Sequence, residues 1–464
     1  MRIMRNLTLV LCLAALLGDA EPGVRAQAGW TSGWIAPYRD TATRLIRTAT
    51  ADDFAWQRLA EMTDTFGSRL SGSENLTRTI AWAVEAMKKD GLDNVRTEKV
   101  MVTRWVRGRE SADIVDPARH PIAVLGLGGT VATPPGGLEA EVLVVDSFSD
   151  LRTRAAEAKG RIVLLNQPFT NYADTVTYRT GSARAAAQAG AVATLVRSVG
   201  PTGLRTPHTG SVQYQSDVPS IPAASISAED ANRIARLSTG GRRVRVRLSL
   251  EGHTEGEVES ANVVAEIRGR ERPDEIVLLG GHLDSWDVGA GASDDGVGCV
   301  ATWEALRLMK KLGLQPRRTV RLVLWTNEEN GTKGAAAYAE RYASTAADHV
   351  FALEADSGVF EPARFGFSGG LAARSVIREI LSLAAPLNLA DLISGGGGAD
   401  IDPIAQAGRV PTMAYMGDPA RYFTIHHTAA DTVERIAPEE VSRAAAAISV
   451  MTYVIAEMPE RLPR

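Results

Sequence analysis

The chain has 464 residues, a hydrophobic fraction of 45%, a charged fraction of 23% and a formal net charge of −4. This is the composition of a globular protein long enough for several domains of roughly 150 residues each. It lacks the concentrated basic face of a nucleic-acid binder. The nearest approach, Arg242, Arg243, Arg245 and Arg247, runs into alternation with Val246 and Leu248 and predicts the solvated face of a strand.

Arg2 and Arg5 precede an apolar stretch over 7–17, the length of a signal peptide and too short to span a bilayer. Ala26-Gln27-Ala28 fits a small-x-small cleavage site, so the mature chain is expected to begin near Gly29, exported to the periplasm or the medium. An uncleaved anchor is the alternative. Cys12 follows Leu11 rather than a small residue, which speaks against lipid attachment. Without Cys12, Cys299 is the one remaining thiol; it pairs with nothing and reads as a small buried hydrophobe. No other stretch reaches membrane-spanning length, so no stable membrane insertion is expected after cleavage.

Helical spacing runs over 53–65 and more strongly over 73–89, where Ser73 can cap, Leu76, Ile80, Val84 and Met87 share a face, and Gly91 stops the helix. Residues 94–105 alternate like a strand. Over 115–252 short apolar runs at 140–145, 160–166 and 190–196 alternate with loops rich in Gly, Pro, Ser and Thr, and two helices are expected near 182–189 and 228–237. This pattern predicts a small β-rich insertion. From 253 strands and helices alternate: strands over 275–280, 319–325, 350–353 and 410–415, helices over 297–311, 332–342, 372–383 and 438–458. Repeated β–α units predict an α/β fold, a mostly parallel mixed sheet with helices on both faces. The expected division is a signal peptide at 1–28, a first part of the main domain at 29–114, the insertion at 115–252 and the catalytic part at 253–464.

Five segments concentrate acids and histidines, most just after predicted strands. They are Gly280-Gly281-His282-Leu283-Asp284, Gly291-Ala292-Ser293-Asp294-Asp295-Gly296, Thr326-Asn327-Glu328-Glu329, Glu354-Ala355-Asp356-Ser357 and His426-His427-Thr428-Ala429-Ala430-Asp431-Thr432. Ligands of open α/β sheets gather beyond the carboxyl ends of the strands. Each segment alone has a plain reading: a turn at Asp294-Asp295-Gly296, a helix-start pair at Glu328-Glu329, a cap at Asp356. Two imidazoles and three carboxylates drawn from these segments would suit two zinc ions with one carboxylate shared. Such a pair can polarise a peptide carbonyl and activate a bridging water. Asp284, two residues beyond His282, is expected to accept the spare imidazole N–H and fix the ring. Gly395 to Gly398 lacks the setting of a phosphate-binding loop and predicts a mobile loop near the substrate.

This motif set resembles the di-zinc aminopeptidase family, which also contains glutamate carboxypeptidases. Leu353-Glu354-Ala355-Asp356-Ser357-Gly358 and the later residues 395–401 resemble its glutamate carboxypeptidase branch. The likeness reaches back to Gly67-Ser68-Arg69-Leu70-Ser71-Gly72-Ser73, and residues 115–250 resemble the protease-associated domain inserted in many members. The resemblance implies that His282 and Asp356 hold one zinc, that Glu329 and His427 hold the other, and that Asp294 is shared. It implies Glu328 as the general base. The four-residue spacing to Asp431 selects His427 over its neighbour His426. It also implies a cis peptide at Asp294–Asp295, short peptide substrates and a possible homodimer. The expected activity is that of an aminopeptidase or dipeptidase. The alternatives are a carboxypeptidase, a single-zinc enzyme like glutaminyl cyclase, or a binding module that has lost catalysis.

Overall fold

The computed structural model describes residues 33–464, so the expected signal segment and Cys12 lie outside the described residues. An eight-stranded sheet forms the frame of the main domain. Its order is Asp93–Val106, His253–Ile267, Arg318–Trp325, Arg272–His282, His349–Glu354, Thr412–Met416, Arg364–Ser368 and Ile393–Ser394. The four strands from Arg318–Trp325 to Thr412–Met416 run parallel. Antiparallel partners flank them.

The central strands are continuous apolar runs because both faces of the sheet are covered. Alternate residues feed two separate cores, as the two-residue period of a strand requires. Val277, Leu279, Val320, Leu322 and Leu353 pack with the helices Phe54–Phe66, Val297–Lys311 and Pro438–Glu457. Ile276, Leu278, Val323, Trp325 and Ala352 pack on the opposite face with Tyr338, Ile404 and Ala405. The helix Glu74–Lys89 starts as its sequence predicts: the Ser73 hydroxyl accepts the Leu76 N–H at 3.2 Å. Just beyond its end Gly91 turns the chain with φ +73°.

A second eight-stranded sheet lies wholly between residues 110 and 250. The chain leaves the first sheet at Val106 and re-enters at His253, and these two residues are register partners in one antiparallel ribbon. An insertion therefore fits between two adjoining strand ends without disturbing the main sheet. As expected, Arg245 and Arg247 sit on the open side of a strand whose Val246 and Leu248 are buried.

Several elements escaped the sequence pattern. The strand His253–Ile267 is polar through its first half, so its alternation is hidden. The short helix Tyr172–Thr180 is rich in threonine, a weak helix former, and relies on Asn171, whose side chain accepts the Asp174 N–H at 2.9 Å. The four-glycine segment is packed rather than free. Gly396 donates its N–H to the Ser368 hydroxyl at 2.9 Å, and a Cβ on Gly398 would lie 2.2 Å from the Glu354 carboxyl carbon. These glycines admit close backbone approach, which explains the run better than mobility does. Among the described residues, no helix is long and apolar enough to cross a membrane.

Candidate metal centre

The expected ligands converge at the carboxyl ends of the parallel strands. His282 is the last residue of its strand, Asp356 lies two residues past Glu354, and Glu328 and Glu329 follow Trp325 after a two-residue link. Asp294 sits in the tight turn 292–296 before the helix Val297–Lys311, and His427 follows the helix Pro419–Ile425. His282 Nε2 lies 3.2 Å from Asp294 Oδ1 and 3.4 Å from Asp356 Oδ1. His427 Nε2 lies 3.1 Å from Asp294 Oδ2 and 3.1 Å from Glu329 Oε2. One carboxylate thus presents each of its oxygens to a different imidazole, and each imidazole has a second carboxylate of its own. The Asp294–Asp295 peptide is cis.

His426 is close as well: its ring stacks on His427 at 3.6 Å and its Nε2 lies 3.5 Å from Asp294 Oδ2. His427 reaches Glu329 in addition, which matches the expected set. Burial and the neighbouring His427 hold the His426 pKa well below the ordinary histidine value. Burial also opposes protonation of His282 and His427, but the carboxylates around them outweigh it and raise both pKa values.

The supporting contacts define which nitrogen of each ring faces the cluster. His282 Nδ1 lies 2.9 Å from the main-chain carbonyl of Asp284, and His427 Nδ1 lies 3.3 Å from the carbonyl of Thr209. Donation there leaves each Nε2 as the lone-pair nitrogen that a metal needs. The expected contact of the Asp284 carboxylate with His282 is corrected by this geometry. Its nearest oxygen is 3.9 Å from the ring nitrogen, because the carboxylate turns toward other donors. It accepts the main-chain N–H groups of Glu328 at 3.1 Å and Glu329 at 3.4 Å, and the Ser71 hydroxyl at 2.9 Å. Asp284 therefore positions the glutamate pair.

Two further residues hold the ligand loops. Asp431 accepts the N–H groups of Ser293 at 2.7 Å and Asp294 at 3.1 Å, which ties the segment after His427 to the turn that carries Asp294. Arg69, fully buried, donates to the carbonyls of Leu283, Gly67, Ala290 and Gly291. Cys299 is buried as expected, its Sγ 3.1 Å from the His282 carbonyl, and burial pushes its thiol pKa far up. Thr209 was not legible in the sequence, since it belongs to the insertion and nothing local marks it.

The donor set fits divalent cations. Among the described residues three groups of side chains have ligand atoms within 4.8 Å of one another: Asp294 with His426 and His427, His282 with Asp295 and Asp356, and His282 with Asp294 and Glu329. Asp295 is already engaged, accepting the N–H groups of His282 and Gly298. Asp294 Oδ2 is buried and has no hydrogen-bond partner. Among the described residues no Lys or Arg forms an ion pair with Asp294, Glu328, Glu329 or Asp356. Buried carboxylates without a Lys or Arg partner are costly to ionise, and imidazole-carboxylate sets of this kind hold zinc.

The chain belongs to peptidase family M28, whose model matches residues 262–452, and a PA domain matches residues 130–234. It is a metallopeptidase. It is 45% identical to Carboxypeptidase Q of Mus musculus over 433 residues, 93% of this chain and 92% of that protein. The crystal structure of a Peptidase M28 precursor from Shewanella amazonensis superposes with a TM-score of 0.88 at 33% identity, covering 92% of this chain and 99% of the other. A zinc aminopeptidase from Bacillus subtilis shares the fold, with a TM-score of 0.66 at 19% identity over 88% of this chain and 96% of that one.

Proposed function

We propose that this chain is an exported exopeptidase that uses two zinc ions to hydrolyse the terminal bond of short peptides or dipeptides. His282 and Asp356 would hold one ion, Glu329 and His427 the other, and Asp294 both. The observation that carries this reading is the split of Asp294, whose two oxygens lie 3.2 Å and 3.1 Å from the two imidazoles. The likeness to Carboxypeptidase Q over 93% of the chain supports peptides as the substrate. Residues 115–252 are assigned to the inserted domain, 253–464 to the catalytic part, and the homodimer belongs to the same proposal.

When bound, the metal pair polarises the scissile carbonyl and acidifies the attacking water. Glu328 is the base that takes a proton from that water and delivers it to the leaving amine. Its main-chain N–H is held by Asp284, and its side chain faces a cavity of about 290 Å³ together with Asp294 and Asp356. Burial, reinforced by Asp356 and Glu329, pushes its carboxyl well above the usual range, and two cations beside it would offset this and favour the carboxylate that a base needs. Asp284 acts by aiming this base.

The test is Glu328→Gln in zinc-loaded protein. The variant should keep two zinc ions per chain by elemental analysis and lose about 100-fold or more of its dipeptide turnover. Full activity in the variant would remove the base assignment, and one ion per chain would remove the paired site.

A further inference from the structure

Of the five expected metal ligands, His427 alone has a left-handed backbone, with φ +59°. That conformation is unfavourable for a residue with a Cβ, so other contacts must hold it. They come from the insertion. His208 Nδ1 lies 2.8 Å from the His426 carbonyl, and because a carbonyl only accepts, that nitrogen carries the hydrogen. The Thr209 N–H donates to the His427 carbonyl at 2.9 Å. The Thr209 carbonyl lies 3.3 Å from His427 Nδ1 and also accepts from Arg179 Nη1 at 3.3 Å; that Nη1 lies 3.3 Å from His427 Nδ1 as well. Three hydrogen bonds thus clasp residues 426–427 against residues 208–209, and all four residues are buried.

The clasp is mounted on the strands of the insertion. The His208 N–H donates to the Ser198 hydroxyl at 3.0 Å, which donates to the Ile226 carbonyl at 2.8 Å. The Thr209 hydroxyl donates to the Gly126 carbonyl at 2.9 Å. A Cβ on Gly200 would lie 2.2 Å from His208 Cε1, so glycine there leaves room for the ring. The other imidazole has no such support from the insertion: His282 Nδ1 is held by the Asp284 carbonyl of its own domain.

We propose that His208 is a positioning residue of the metal centre: with the main chain of Thr209 it keeps His427 in its ligating conformation, so that the ion of Glu329 and His427 is held tightly only while the insertion is docked. The proposal rests on the paired-metal reading above. Without the clasp the 426–427 peptide can turn and His427 can relax to an ordinary φ. Its Nε2 then swings away from Asp294 and Glu329, each now 3.1 Å from it. Outer contacts that orient a metal-binding imidazole change metal affinity by about 10- to 100-fold. The ion of His282 and Asp356 is spared, which makes the two positions unequal.

The test compares His208→Leu with His208→Asn. The two side chains share a branched outline, and only asparagine keeps an N–H near the place of Nδ1. Zinc affinity is read by competition with a chromophoric chelator, and His427→Ala marks the dissociation step that belongs to its ion. His208→Leu should weaken that step by about 10- to 100-fold and leave the other within about threefold, and His208→Asn should restore it. A His208 that merely packs would shift both steps together and lower the melting temperature. No change in His208→Leu, an equal change in both steps, or no rescue by His208→Asn overturns the proposal. Should His208→Leu fail to fold, the wild-type protein decides. Coupling is reciprocal, so loading zinc should slow amide exchange at Thr209 by about 10- to 100-fold while Gly128 and Val212, bonded within the insertion, stay unchanged. Exchange at Thr209 that ignores zinc refutes the clasp. A wild-type protein that binds one ion removes the paired-metal reading by itself; the leucine–asparagine comparison on that single step still decides His208, and the proposal falls if His427→Ala leaves that step unaltered.

Discussion

Replacing Arg69 with Met should loosen the metal centre from behind. Arg69 lies outside the ligand set, yet its guanidinium is the common acceptor-filling partner of the loop between His282 and Asp294: it donates to Leu283 at 2.8 Å, Ala290 at 2.7 Å and Gly291 at 2.9 Å, and to Gly67 at 3.0 Å. Each hydrogen bond from a charged donor contributes about 1.5–3 kcal/mol, and an orphaned buried carbonyl costs about 1–3 kcal/mol. Relief of the buried charge offsets part of this, leaving a net loss of about 3–5 kcal/mol. The loss falls on the loop, so the readout is amide hydrogen exchange at Leu283, Ser285, Trp286, Ala290 and Ser293, all hydrogen-bonded in the intact protein. Their exchange should quicken by roughly 100- to 3,000-fold, at about 1.4 kcal/mol per factor of ten. Zinc affinity should fall with it, since Asp294 is carried by the same loop. Exchange within about threefold of wild type, with unchanged zinc affinity, would refute the reasoning.

Asp284→Asn sets an amide group against main-chain donors at Glu328 and Glu329, so kcat should fall about 10- to 100-fold while zinc content is kept; unchanged kcat in a steady-state assay would return Asp284 to a passive role. Gly298→Ala places a Cβ 1.6 Å from the Ala355 carbonyl oxygen, forcing the helix away from the strand end that bears Asp356. A loss of about 3 kcal/mol is expected in chemical denaturation, with weaker zinc binding, and a wild-type denaturation curve would contradict it. His349 is buried against Tyr338, its Nε2 2.9 Å from the hydroxyl, and burial lowers its pKa from 6.5 to about 4. Between those values the unfolded chain takes up a proton that the folded one refuses, so this stabilisation is complete above pH 6.5 and is lost as pH falls toward 4. The stability gap between wild type and His349→Gln should therefore shrink by about 2–3 kcal/mol between pH 7 and 4.5; parallel pH profiles would exclude this role.

The elements most legible in the chain were those whose pattern is complete within a few turns. The helix Glu74–Lys89 carries its own cap and stop, and the strands Arg272–His282 and Arg318–Trp325 contain the continuous apolar runs 276–281 and 322–325, where both faces are buried. The ligand types were legible for a related reason: His282, Glu329 and Asp356 sit in short segments at strand ends, where β–α connections place chemistry, and Asp294 and His427 lie in compact motifs beside helix ends. What stayed hidden depended on distant partners. The polar half of His253–Ile267 is a strand because Asp93–Val106 pairs with it, and the glycines at 396–398 are explained by Ser368 and Glu354 rather than by their neighbours.

From the sequence alone came the candidate ligands and the candidate base, carried by short local motifs and by the family resemblance those motifs bear. Tertiary structure decided how they share their work. It turned the two oxygens of Asp294 toward imidazoles that are far apart in the chain, aimed the Asp284 carboxylate at the glutamates instead of His282, and brought Thr209 and Arg179 of the insertion against His427, the latter across 248 residues. Contacts of that range are set by how two sheets pack, and no periodicity within either segment encodes them.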